Sequence, residues 1–527
     1  MKRREFFKYT APAAILPSFI NGFSVKAFGA SPLLSALQGA ATDNDHVLVM
    51  IQMTGGNDGL NMVIPLDKYS GYVNARSNIA IAEGRVLPLV NVKKAGLHPS
   101  MTKLQSLYNE GKVCVVQSVG YPSPNFSHFR ATDIWLTGSD ANDVITTGWG
   151  GRYLQTEYPN YPVGFPNAEM PDPLAIQIGS IVSPAFQGPV TNTGMAITST
   201  SSFYDLLEGK EDDVPNTKAG KELKYIRMIA KQSNKYADSI KLAAGKVTSQ
   251  GPYSNTSISQ QLKIVARLIA GGLKTRLYMV SIGGFDTHAS QTNSGDTSTG
   301  AHANLLGNLS NAISEFMADL KGHKVSQRVI GMTFSEFGRR IKSNGSMGTD
   351  HGAAAPMILF GDYINPGVLG NTPDMPGQAN VNDNVPMQYD FRSVYASLLE
   401  QWFCIKKAAL DEVMMKDYQQ LPLVNSLACS TVTNIPDVNQ NAGKNLISNY
   451  PNPFVARTII SYETSGGHTL IQIFDTMGRL LATPLDKVMT AGKYTIDFDA
   501  TILPTGIYYA RFQNGMVQQV RSMMKVK

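Results

Sequence analysis

Cysteine is nearly absent from this chain, with three in 527 residues and no Cys-x-x-Cys pair among them. That excludes a disulfide framework, an iron–sulfur centre and a thiolate zinc site. Cys404 and Cys429 could pair in an oxidising compartment, or the cysteines could serve as small buried hydrophobes. Charge is also sparse. Charged residues are 16% of the sequence, and 46 basic against 40 acidic ones leave a net +6. No basic stripe interleaved with aromatics is present, so nucleic acid is not an expected partner. No apolar run reaches the length of a membrane-spanning helix, so the mature form is expected to lack one. Internal repeats and low-complexity tracts are missing too. What remains is a chain with 43% hydrophobic residues, too long for one core, which predicts a large domain and a smaller one.

Both ends read as addresses. Met1-Lys2-Arg3-Arg4-Glu5-Phe6-Phe7-Lys8 leads into a weakly apolar stretch from Tyr9 to Ile20, and Ala27-Phe28-Gly29 follows. A basic start, a short apolar segment and small residues at cleavage spacing predict an export signal over residues 1–30. The adjacent arginines with Phe and Lys behind them resemble the Tat motif, which implies the Tat translocase as a partner. From about Asn445 the texture changes to alternating runs such as Thr469-Leu470-Ile471-Gln472-Ile473-Phe474 separated by turn residues. Period-two runs at that spacing predict a small antiparallel β-sandwich. Asn449-Tyr450-Pro451-Asn452-Pro453-Phe454, Asp475-Thr476-Met477-Gly478-Arg479-Leu480 and Pro504-Thr505-Gly506-Ile507-Tyr508-Tyr509 resemble the type A sorting domain of type IX secretion over residues 445–527. That resemblance implies the type IX machinery as a second partner, and release or attachment at the outer cell surface.

Between the ends, residues 31–420 read as one α/β domain and 421–444 as a linker, while 205–250 read as a helical insertion and Gln388 to Met415 as a closing helical stretch. Four apolar runs each end in small residues followed by reactive groups. His46 to Met53 leads to Gly55-Gly56-Asn57-Asp58-Gly59, and Val113 to Ser118 leads to Asn125-Phe126-Ser127-His128-Phe129-Arg130. Leu277 to Ile282 leads to Gly283-Gly284-Phe285-Asp286-Thr287-His288, and Arg328 to Phe334 leads to Ser335-Glu336-Phe337-Gly338-Arg339-Arg340. Such runs, alternating with helices like Ala301 to Leu320, predict a mixed, mostly parallel sheet with helices on both faces. Ligands in such sheets sit at the carboxyl ends of strands, so the four clusters should converge on one rim. A fifth group, Asn344 with Gly348-Thr349-Asp350-His351-Gly352, precedes the short strand Met357 to Phe360.

Asp58, Asp286, His288, Glu336, Asp350 and His351 form a set of oxygen and imidazole donors suited to a divalent metal, zinc foremost, with manganese, magnesium or calcium as alternatives. Asp286-x-His288 is the most informative pair, since residues two apart in an extended segment face the same side. Ser127 heads a predicted helix, where its default role is an N-cap. The same place suits a nucleophile, because helix-terminal N–H groups favour an anionic oxygen. His128 could be a ligand or a general acid, and Arg130 and Arg339 could clamp an anionic ester. His98 and His302 are expected to be structural, and Thr147 to Arg152 and Asp390-Phe391-Arg392 are expected to brace loops.

Taken together, these motifs resemble the exported bacterial family known as domain of unknown function 1501, over roughly residues 45–420. That family is similar to the alkaline phosphatase and sulfatase superfamily, whose members cleave phosphate or sulfate esters with a metal-coordinated nucleophile. The resemblance implies that Asp58, Ser127, Asp286 with His288, Glu336 and His351 fall in the superfamily's site positions. Glu336-Phe337 departs from the usual Asp-His or Asp-Asn, which puts a second ion in doubt, and no sulfatase modification motif is present. The expectation is a secreted or surface-anchored hydrolase of small-molecule or polysaccharide esters. The rival is a non-catalytic surface binding protein on the same fold.

Overall fold

The computed structural model describes residues 44–199, 234–430, 447–475, 479–514 and 517–526, with two short strands at 18–20 and 23–25. The expected export signal otherwise lies outside the described residues, as do most of the expected insertion, residues 431–444 of the expected linker and the first two residues of the expected sorting domain. The chain divides into two units, one of residues 42–432 and one containing residues 433–527.

The larger unit is built on a nine-stranded sheet. Its strands are β1 (Val47–Thr54), β2 (Val113–Gly120), β3 (Ala175–Ile178), β4 (Gly194–Ile197), β5 (Leu277–Gly283), β6 (Val329–Phe334), β7 (Ala355–Gly361), β8 (Gly367–Leu369) and β9 (Tyr389–Asp390). The spatial order is β8-β2-β7-β6-β1-β5-β3-β4, with β9 also on β2. Every pairing is parallel except the two made by β7, which runs backward between β6 and β2. The sheet is therefore mixed and mostly parallel, as expected.

The continuous apolar texture of β1 follows from burial on both faces. Val47, Val49, Ile51 and Met53 join one core, while Leu48 and Met50, pointing the other way, join a second. The first core is covered by α1 (Thr102–Asn109), α4 (Ser257–Ala270) and α5 (Ala301–Gly322). The second is covered by α2 (His128–Thr137), α3 (Trp149–Glu157), α6 (Phe391–Gln401) and α7 (Lys407–Met414). The stretch expected to close the domain as one helical pattern is thus two helices. Arg152 and Arg392 brace loops as expected, Arg152 by donating to the carbonyls of Val413, Thr147 and Thr137.

Residues 421–430, expected to open a linker, instead form a strap packed on this unit. Leu421, Leu423, Val424 and Ala428 are buried, and the Leu423 and Val424 N–H groups donate to Gln401 Oε1. Cys429 is disulfide-bonded to Cys404, which resolves the two roles left open for these cysteines, and Cys114 is free and buried.

In the smaller unit, a three-stranded sheet (Ile447–Tyr450, Arg457–Thr464, Gly492–Asp499) and a four-stranded one (Gly467–Asp475, Leu480–Met489, Gly506–Asn514, Val517–Lys525) are antiparallel throughout. Ile460 and Phe498 from the first and Ile471, Ile473, Ala510 and Phe512 from the second share one core, which is the expected sandwich.

Candidate metal centre

The parallel strands deliver their following loops to one rim, and the reversed β7 delivers the loop that precedes it to the same rim. Asp286 and His288 follow β5, Glu336 follows β6, His128 lies beyond β2, and Asp350 and His351 come before β7. Two glycines allow these loops to touch. Gly55 has φ +121°, and a Cβ there would lie 2.3 Å from the Asp286 amide nitrogen. At Gly348 a Cβ would meet the His288 carbonyl oxygen at 2.3 Å.

The ligand atoms of His128, Asp286 and His351 all lie within 4.8 Å of one another. His288 joins them, its Nε2 being 3.1 Å from Asp286 Oδ1 and 2.9 Å from His351 Nε2. His351 Nε2 is 3.3 Å from Asp286 Oδ1, and His128 Nε2 is 3.6 Å from Asp286 Oδ2.

The opposite ring nitrogens decide what these four residues present. Each Nδ1 faces an oxygen that can only accept, which assigns the proton to that nitrogen. His351 Nδ1–H donates to the Phe126 carbonyl at 2.8 Å, and His128 Nδ1–H donates to Glu336 Oε1 at 2.8 Å. His288 Nδ1 points at Asp350 Oδ1, 3.4 Å away. With a proton on each Nδ1, the three Nε2 atoms turn their lone pairs towards one carboxylate. Electron pairs gathered in this way repel unless a cation stands between them. Ligands about 2.0–2.1 Å from a tetrahedral zinc would be about 3.3 Å apart, in the middle of the range seen here. The residues therefore fit a divalent ion, and the oxygens on the Nδ1 side are the outer partners that hold metal-binding imidazoles in one tautomer.

Electrostatics agree with this arrangement. Burial opposes ionisation of Asp286, yet its hydrogen bond and charge pairing with Arg339 (2.6 Å), helped by His351 and His288, hold its carboxyl below the usual range. Asp350 is held low chiefly by its hydrogen bond from Asn344 Nδ2. Burial lowers His351, keeping the ring neutral.

Asp286, His288 and His351 are brought together, and His128 joins them through Nε2. Other expected site residues stand elsewhere. Asp58 is fully buried, its two oxygens 2.9 and 2.7 Å from Arg76 Nη1, with Gln291 Nε2 donating to one of them at 2.6 Å. Its carboxylate is satisfied away from the cluster, so it is a structural counter-charge. Glu336 reaches His128 on the far nitrogen and accepts from the Gly55 N–H, so it stands behind the histidine rather than in the cluster. Asp350 does the same for His288. Arg130 pairs with Asp133 and donates to the carbonyls of Asp140, Ala141 and Asp143, which turns it away from the rim. Arg339 is buried and holds the carbonyls of Gly55, Gly56, Phe285 and Thr349 as well as Asp286. Neither arginine is free to clamp an ester.

Ser127 occupies the N-cap position of α2, but its side chain makes no capping hydrogen bond and is exposed. His98 and His302 are buried and structural as expected, His302 Nε2–H donating to Asn57 Oδ1 at 3.0 Å. Sequence reasoning missed Arg76, which lies in no motif; an acidic residue expected in a buried rim called for a cationic partner, and that was the available signal.

Residues 218–414 match the family model described as "Protein of unknown function (DUF1501)", a shorter span than the resemblance over 45–420. Residues 448–526 match the "Secretion system C-terminal sorting domain". No curated protein matches the chain. Among solved structures, a protein in the alkaline phosphatase superfamily from Vibrio parahaemolyticus is similar at 9% identity and TM-score 0.31, over 93% of this chain and 84% of its own. A sulfatase from Pseudoalteromonas sp. is similar at 10% identity and TM-score 0.31, over 90% of this chain and 86% of its own. A lipoteichoic acid synthase from Listeria monocytogenes is similar at 10% identity and TM-score 0.28, over 67% and 80%. Likenesses this slight bear on neither site nor substrate. Two family models thus match parts of the chain, one of unknown function over residues 218–414 and one of a secretion system C-terminal sorting domain over residues 448–526.

Proposed function

We propose that this protein is an exported, metal-dependent hydrolase of phosphate or sulfate esters with Ser127 as its nucleophile. Export would run through the Tat translocase to the periplasm and then, by way of the sorting domain, through the type IX machinery to the cell surface. The observation that carries the enzymatic reading is the convergence of three imidazole Nε2 atoms on Asp286 while each Nδ1 faces an oxygen.

His128, Asp286, His288 and His351 would hold the ion. Three nitrogens and one oxygen suit zinc best, while manganese, magnesium and calcium favour oxygen donors. A bound ion of this kind supplies Lewis-acid polarisation and lowers the pKa of a nearby hydroxyl. Ser127, next to His128 and unengaged in capping, presents Oγ for in-line attack on phosphorus or sulfur. The Oγ bond forms as the bond to the leaving oxygen breaks, and the serine proton ends on that oxygen. Water then cleaves the serine ester. The first-turn N–H groups of α2, which have no side-chain cap, are available to the developing negative charge.

The test is the metal content of the full chain by mass spectrometry beside its Asp286→Ala variant, followed by a phosphate and sulfate ester screen with Ser127→Ala as control. A stoichiometric ion lost in Asp286→Ala, and turnover lost in Ser127→Ala, are expected. A wild-type protein that takes up no ion after incubation with zinc or manganese ends this reading. A second reading, a surface binding protein with the ion as a staple, is favoured by the internal engagement of Arg130, Arg339 and Asp58. It predicts bound metal with no metal-dependent turnover.

A further inference from the structure

Phe129 is 91% exposed, whereas Phe285 and Phe337, also beside the cluster, are 0% and 1% exposed and Phe126 is half-buried. It stands in the first turn of α2, directly after Ser127 and His128. That turn is fixed in place. Ala131, Ile134 and Trp135 bury the opposite face of the helix, and Arg130 ties it to the loop beyond. On the other side, Asn125 Oδ1 accepts from the Ser127 N–H at 2.9 Å, and the Phe126 carbonyl accepts from His351 of the cluster at 2.8 Å. A large apolar ring thus stands one residue beyond His128, on a fixed helix turn, with almost all of its surface in water.

The polar groups expected to grip a substrate do not stand free. Arg130 and Arg339 are engaged as described, and Arg340 donates to the His351 and Val381 carbonyls and to Asn382. Apart from the ion and the first-turn N–H groups of α2, which act on the charged end of an ester, its alcohol part is left to apolar contact, and an aromatic face offers that in large measure with few rotamers to fix.

We infer that Phe129 is the platform for a flat apolar ring face on the substrate, so that the ester this site takes has a ring-bearing alcohol part, aryl or pyranosyl, rather than a short alkyl chain. The inference rests on the cluster being the reacting centre, but its test does not require turnover. Calorimetric titration of the metal-loaded full chain with phenyl phosphate, glucosyl phosphate and methyl phosphate compares ring and alkyl esters bearing the same charged group. Wild type is expected to bind at least one ring ester about tenfold more tightly than methyl phosphate. Phe129→Ala should erase that preference with an unchanged melting temperature, and Phe129→Tyr should keep it. Preference for the phenyl ester alone assigns an aryl substrate, and preference for the glucosyl ester alone assigns a sugar. Equal affinity for ring and methyl esters, a preference that survives Phe129→Ala, or no binding of any ester overturns the inference. A ring preference without turnover retains the platform and removes the hydrolase.

Discussion

Asp58→Asn separates the two roles that Asp58 could have. Asp58 and Arg76 have side chains 1% and 0% exposed, and Arg76 Nη1 lies within 2.9 Å of both carboxylate oxygens. Burial alone would raise the Asp58 pKa, but Arg76, His302 and Gln291 together bring it below the usual range. The asparagine keeps one oxygen for hydrogen bonding and removes the charge. Arg76 would then retain only the neutral acceptors Asn61 Oδ1, the Ile341 carbonyl and the Arg340 carbonyl around a buried cation. Breaking a buried pair from one side costs about 3–5 kcal/mol. A urea titration of the metal-free protein should show that loss. Metal content measured on the folded variant should equal that of wild type, because none of the four proposed ligands touches Asp58. Loss of the ion with stability retained would return Asp58 to the ligand set and refute the reassignment.

Two further perturbations test the surroundings. Glu336→Gln should weaken zinc binding in a chelator competition by about tenfold to a hundredfold, the range for removing an outer partner of a metal-bound imidazole; complete loss would make Glu336 a direct ligand. Burial pushes His98 down to about 3 and His302 to about 4, so below pH 6.5 the unfolded chain takes up protons that the folded one refuses. Stability should therefore fall as pH drops from 6.5 towards 4, by about 1.4 kcal/mol per pH unit for each histidine. Urea midpoints at several pH values should show a shallower slope in His302→Gln, and an unchanged slope would contradict the assignment.

Much of the frame was legible because burial on both faces leaves a continuous apolar run, and chain reversal leaves glycine behind it. Val47 to Met53 and Leu277 to Ile282 marked two strands, and residues just past a parallel strand must reach one rim. Asp286 and His288 were picked out on that logic, and His351 from the group that precedes a short strand. What it leaves open is the direction each side chain takes. Glu336 and Asp58 are both acidic and both at the rim, yet one faces the back of a histidine and the other a buried arginine. Arg130 and Arg339 looked like anion clamps by type and place, but the loops they stand among had bare carbonyls that claimed them first. Helix-start chemistry marked Ser127 correctly as an N-cap position, and only the coordinates show its hydroxyl making no capping bond.

The disulfide that ties Cys429 to Cys404 closes a loop of 25 residues just before the chain leaves the α/β unit. Bonds of this kind persist where the surroundings are oxidising, in keeping with export. Its placement gives the α/β unit a chemical end of its own. A peptide bond cut anywhere in residues 431–446 would free the sorting domain's chain without removing a single covalent link that the strap uses to stay seated. The strap is thus sealed by a bond of its own, and its seat on the α/β unit owes nothing covalent to the chain that follows.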